Sequence, residues 1–80
     1  EVVLSFNPKQ GDYIKTLPIH QSQQILIDNK NELRISIKVK PTYEFYSKIL
    51  SYGADMKILS PGSVKNKYKE KLIAALKQYQ

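Results

Sequence analysis

The residues with the most obvious chemical capacity crowd into one short stretch, Leu17-Pro18-Ile19-His20-Gln21-Ser22-Gln23. His20, Ser22 and Gln23 supply an imidazole, a hydroxyl and an amide, which is enough to recognise a small ligand through donors and acceptors. The plainer reading has them satisfying the backbone of an irregular connector, because buried polar atoms need partners. A second set is cationic. Arg34, Lys38 and Lys40 on one strand and Lys57 on another share a face with Ser5, Ser36 and Gln24, and a basic face of this kind can bind phosphate. Lysines on outer and edge strands are also ordinary solubility devices. The third set is phenolic. Of six tyrosines, Tyr43, Tyr46 and Tyr52 flank one helix and are candidate interface residues, since a phenol suits both wet and dry surroundings. Tyr68 and Tyr79 read as packing residues.

Other chemistries find no residues to carry them. With one histidine and no cysteine, the chain excludes disulfide frameworks and zinc ribbons, and neither H-E-x-x-H nor an EF-hand loop is present. Three glycines cannot assemble a Walker A loop or a G-x-G-x-x-G fingerprint. No serine sits in a nucleophile elbow. We therefore expect no enzymatic activity, no metal and no cofactor. An RNA-reading sheet would carry stacking aromatics on its central strands, whereas the outward positions here hold Arg, Ser and Lys.

Thirteen Lys and Arg against seven Asp and Glu leave a net charge of +6, which favours polyanionic partners such as nucleic acid or an anionic effector. Five lysines (65, 67, 69, 71 and 77) stand between Ser63 and Gln80 against the single acid Glu70, most simply as a solvated helix face. The longest apolar run, Leu72–Leu76, is five residues, against about twenty for a membrane span, so no membrane partner is expected.

Each set depends on an element to hold it. Val2–Phe6 alternates apolar and other residues as a strand does, and Asn7-Pro8 breaks it. Lys9–Leu17 puts Tyr13, Ile14 and Leu17 at helical spacing before Pro18. Gln23–Asp28 reads as a strand with Ile25 and Ile27 on one face and Gln24, Leu26 and Asp28 on the other, followed by turn residues through Asn31. In Glu32–Lys40, Leu33, Ile35, Ile37 and Val39 alternate with Arg34, Ser36, Lys38 and Lys40, which is what aligns the cations. Pro41-Thr42 opens a helix carrying Phe45, Tyr46, Ile49, Leu50 and Tyr52, with Gly53 placed for a left-handed cap. Met56–Leu59 is a further strand. Ser60-Pro61-Gly62-Ser63 stops it and offers either serine as a cap. Val64, Tyr68, Leu72, Ala75, Leu76 and Tyr79 then line one face of a last helix.

This order predicts an α+β fold, a ferredoxin-like βαββαβ sandwich with an additional C-terminal helix. Right-handed crossovers put the first and third strands in the centre and the second and fourth at the edges. Eighty residues make a single domain, and the start at Glu1, almost directly in a strand, reads as a domain excised from a longer chain.

Several of these pieces resemble a known family. His20-Gln21-Ser22-Gln23 is similar to the His-x-Ser-Gln element that precedes a β-hairpin in the C-terminal extension, or WCX domain, of bacterial WYL-domain transcriptional regulators. Pro41-Thr42-Tyr43-Glu44, then Ile49-Leu50-Ser51-Tyr52-Gly53, then Ile58-Leu59-Ser60-Pro61 resemble its later segments in order, and the likeness runs over residues 2–79. Gln21 stands for a frequent Pro, Ser60 for a frequent Glu, and the Trp-Tyr-Leu motif of the neighbouring domain is absent. The resemblance implies a cytoplasmic regulator in which an upstream helix-turn-helix binds DNA and a WYL domain senses a ligand. This tail would serve dimerisation and signal transmission, with its own upstream domains and a second copy, in a homodimer, as partners.

Overall fold

The computed structural model describes all 80 residues. Strand β1 (Val2–Phe6) buries Val2, Leu4 and Phe6 and turns Val3 and Ser5 outward, as its alternation requires. Asn7 then caps helix α1 (Pro8–Thr16), its side-chain oxygen accepting the Gln10 N–H at 2.8 Å while Pro8 occupies the first turn, where no N–H is missed. Strands β2 (Gln24–Asp28) and β3 (Leu33–Ile37) form a hairpin whose turn is organised by Asn29, the side chain of which accepts the N–H groups of Asn31 and Glu32. Helix α2 (Tyr43–Leu50) is capped by Thr42, whose hydroxyl accepts the Phe45 N–H. A 3-10 turn over Gly53–Asp55 leads into β4 (Met56–Ser60), and helix α3 (Gly62–Lys77) closes the chain.

The fold is α+β, a four-stranded antiparallel sheet in the order β2-β3-β1-β4 with three α-helices. The first and third strands are central, as expected. One cluster of apolar side chains joins the helices to the sheet. It is built on Leu4, Phe6, Leu33, Ile35 and Ile37 from the central strands, Ile14 from α1, Ile49 from α2, Ile58 from β4, and Val64 and Tyr68 from α3. Gly11 belongs to this contact too, because a Cβ there would stand 2.9 Å from the Cβ of Leu33.

Four expectations need correction. First, β3 ends at Ile37 and not at Lys40. Pairing with β1 reaches Ile37 opposite Val2 and pairing with β2 reaches Ser36 opposite Gln24, and the next N–H, that of Lys38, donates to the Ser22 hydroxyl oxygen instead of to a strand. Second, β2 carries a bulge between Ile25 and Ile27. Ile25 lies opposite buried Ile35, while Ile27 lies opposite outward Arg34, so the two isoleucines fall on opposite faces of the sheet. Third, neither Ser60 nor Ser63 caps α3, whose cap position is Pro61 with no side-chain hydrogen bond. Fourth, the apolar stripe of α3 is covered only at Val64 and Tyr68; Leu72 and Leu76 are exposed, and Tyr79 is 89% exposed. Sixteen residues of helix span about 24 Å, against about 17 Å for a five-residue strand, so α3 outruns the sheet beneath it. On α1, similarly, Ile14 is buried but Tyr13 and Leu17 are not.

Candidate functional site

The basic residues expected on one sheet face are divided by the structure into two places. Register puts Ser5 opposite Arg34 on one side and Lys57 on the other, so these three cross the outer face in a row. Glu32, just before β3, joins them. Its carboxylate accepts the Ser5 hydroxyl at 2.5 Å and the Arg34 guanidinium through Nη2 at 2.9 Å and Nε at 3.3 Å. The Ser5 hydrogen bond, then that from Arg34, hold the Glu32 carboxyl below the usual carboxylate range against a smaller opposing effect of burial. The guanidinium fork that could have gripped a phosphate is therefore engaged within the chain. A depression of about 390 Å³ opens here, with Arg34 and Lys57 balanced by Glu32 and Asp55 along its lining. Glu32 was legible in principle: two residues before Arg34 on a strand, it must share that residue's face.

Lys38 and Lys40 lie elsewhere. They belong to the connector between β3 and α2, which is pinned at both ends. The Lys38 N–H donates to the Ser22 hydroxyl oxygen at 2.8 Å, and the Thr42 N–H donates to the Lys40 carbonyl at 2.8 Å. Ser22 is fixed in turn by His20, whose Nδ1 accepts the Ser22 backbone N–H at 3.1 Å and lies 2.7 Å from its Oγ. An Nδ1 that accepts an N–H leaves the proton of the neutral ring on Nε2. Gln23 works the other side of the loop. Its Nε2 donates to the Ile14 carbonyl at 3.1 Å at the end of α1, and its Oε1 accepts the Ile19 N–H at 3.0 Å. The His20, Ser22 and Gln23 cluster thus holds the connector together, which accounts for polar side chains at those positions. Beside it lies a second depression, of about 420 Å³, in which His20, Lys38 and Lys40 meet Lys48 and Glu44 of α2 over Ile19, Val39 and Phe45. Lys48 carried no sequence signal, because only the packing of α2 brings it opposite the connector.

The tyrosines separate by burial. Tyr46 is buried, and Tyr52 is half-buried with its ring edge-on to Phe6 at 5.3 Å between centroids. Burial pushes both phenols above the ordinary tyrosine value. Tyr43 alone of the three is open to solvent, at 78% exposure. The Lys71 ammonium of α3 stands over the rings of Tyr43 and Tyr46, 5.7 Å and 5.4 Å from their centroids, and ties α3 to α2. Tyr68 is buried as expected, its hydroxyl donating to the Ile49 carbonyl at 3.4 Å.

No helix is long and apolar enough to cross a membrane. A search of curated proteins returns no match. The family model for the WCX domain matches residues 1–76. That span takes in every strand, the His20–Gln23 connector, both depressions and α3 to within one residue of its end. The chain belongs to the WCX domain family.

Proposed function

We propose that this domain is a non-enzymatic accessory module of a WYL-type transcriptional regulator, helping to assemble a dimer or to transmit the binding of an effector by a neighbouring domain. Family membership carries the reading, since WCX is a regulatory-associated domain and not a known enzyme family. In this reading the domain is one piece of a longer cytoplasmic chain, with a WYL segment and a helix-turn-helix upstream. The parent protein provides the test. Its reading frame should encode both upstream segments. In DNA-binding assays, loss of this domain should abolish the response to effector, or the dimeric state seen by sedimentation, while the helix-turn-helix still binds. A parent without those segments, or one whose assembly and effector response both survive the deletion, overturns the reading.

A second reading, direct binding to nucleic acid, is favoured by the net charge of +6 and by the exposed Lys65, Lys67 and Lys69 of α3. Affinity would then fall as salt rises, with a logarithmic slope of about −0.7 to −0.9 per phosphate contact. Reversal of those lysines to Glu should weaken all nucleic acid sequences alike. Reversal of Arg34 and Lys57 is the matching test of the outer sheet face, and reversal of Lys38 that of the connector. Absence of duplex and single-strand binding at low salt removes this reading.

A further inference from the structure

The two depressions differ in one respect that matters for ligands. Around the first, cation and carboxylate are balanced and Arg34 is gripped by Glu32. Around the second, Lys38, Lys40 and Lys48 face a single acid, Glu44, and none of the three lysines takes part in an ion pair; the chain's ion pairs are Lys15 with Asp12 and Asp28, and Arg34 with Glu32. Like charges gathered on one hollow repel one another and are relieved by an anion placed among them.

We propose that this second depression binds a small organic anion, its phosphate or carboxylate held by the lysines and its apolar body laid against Ile19, Val39 and Phe45. The hollow is broad and open to solvent, about 420 Å³, and three of its nine lining residues are apolar, which suits a small anion with a compact apolar body. Its wall is also fixed in advance. The backbone bearing Lys38 is tied to Ser22, that bearing Lys40 to Thr42, and Ser22 to His20, so an anion meets a backbone already in place. With Nδ1 engaged by Ser22, Nε2 of His20 makes no hydrogen bond within the chain and is free to donate. The His-x-Ser-Gln element is on this view the buttress of a binding site. The inference goes beyond the accessory-module reading and stands or falls without it.

Amide chemical-shift titration of the 80-residue chain tests it, with phenyl phosphate and benzoate as the two anionic probes, phenol as the neutral control and inorganic phosphate as the head without a body. We expect saturable shifts at His20, Lys38, Lys40, Thr42 and Lys48 with a Kd of about 1–5 mM for either anion, none with phenol, and about tenfold weaker binding of inorganic phosphate. The Lys40→Glu/Lys48→Glu variant should weaken binding about tenfold or more, and Lys40→Gln/Lys48→Gln should weaken it less, both with well-dispersed spectra. Lys65→Glu/Lys67→Glu on α3, the same change in net charge, should leave binding unchanged. Three results overturn the proposal: no saturable shift up to about 10 mM probe, shifts spread equally along α3, or equal loss in the α3 variant. An oligothymidylate that binds more tightly and is lost equally in both charge-reversal variants overturns it as well, assigning the charge to general phosphate attraction.

Discussion

Asn7 and Asp55 are joined twice, by an Asn7 N–H that donates to the Asp55 carbonyl at 3.0 Å and an Asn7 Nδ2 that donates to the Asp55 carboxylate at 2.7 Å. The first bond extends the pairing of β1 with β4 one step beyond Phe6 and Met56. The second uses the amide nitrogen of a side chain whose oxygen is already capping α1. One residue therefore ends β1, starts α1 and fastens the 3-10 turn. Asn7→Ala should cost about 1–2 kcal/mol in denaturant unfolding. Asn7→Asp keeps a capping oxygen but sets a second carboxylate against Asp55 where Nδ2 had donated, so at pH 7 it should lose more than Asn7→Ser, which keeps a cap without the charge. Equal losses in the two variants would show that a charge set against Asp55 costs nothing.

Gly11 sits where α1 comes closest to the sheet. Gly11→Ala would improve helix propensity by about 1 kcal/mol, but its methyl would stand 2.9 Å from the Leu33 Cβ, an atom fixed to a central strand. Overpacking of this kind costs about 1–3 kcal/mol, so the net change should be destabilising. Leu33→Ala cannot relieve it, because the clashing Cβ remains. A thermal melt in which Gly11→Ala equals or exceeds the parent would refute the close approach.

Gly53 has φ of +55°, and no atom lies within 4 Å of where its Cβ would be. The cost of a side chain is thus purely that of the left-handed backbone. Gly53→Ala should lose about 1 kcal/mol, and Gly53→Asn less, since Asn tolerates this region. A neutral Gly53→Ala melt would remove the conformational argument.

The pH dependence of stability should have two limbs with assignable origins. Glu32 titrates lower in the folded chain than in the unfolded one, so its contribution is complete above the ordinary Glu value of about 4.3 and is lost as pH falls through the lowered folded value. Lys15 is raised, chiefly by its hydrogen bond to Asp28, and the phenols of Tyr46, Tyr52 and Tyr68 are raised by burial. The folded chain holds these protons more tightly than the unfolded one. Stability from them is therefore complete below about pH 10 and declines as pH rises through the raised values. Unfolding monitored across pH should show Glu32→Gln flattening the acid limb alone and Lys15→Met softening only the alkaline one.

What could be read in advance was whatever depends on a residue and its near neighbours. The alternation of Val2–Phe6 gives β1 to the residue, and Thr42 marks the start of α2 where the structure has it; Gly53 takes the expected left-handed φ, but three residues past Leu50, the helix being capped at Ser51 and Tyr52 lying beyond it. Strand order followed from connection rules acting on that list of elements. What could not be read depends on partners distant in the chain. Lys38 and Lys40 continue the alternation of β3 perfectly, yet lie outside the sheet, where the Lys38 N–H is taken by the Ser22 hydroxyl of a distant connector. Ile25 and Ile27 share a face in any regular strand, and one extra residue separates them. Tyr79 keeps the helical spacing of a packing residue, but the sheet has ended before α3 reaches it. The division of the basic residues into two sites follows from the first of these, so the site was less legible than the fold.

The bulged strand β2 places no residue in the core, although it completes the sheet. Detaching it would break backbone hydrogen bonds but uncover little apolar surface, so its release is an opening separate from unfolding of the domain. Native-state hydrogen exchange should therefore sort the sheet into two classes. Amides of β2 should exchange early, with free energies nearly independent of denaturant. Those binding β1 to β3 and to β4 should exchange late and follow the full slope of global unfolding. Strand β2, which follows the His20–Gln23 connector, would then be the part of the sheet able to move while the rest stays folded.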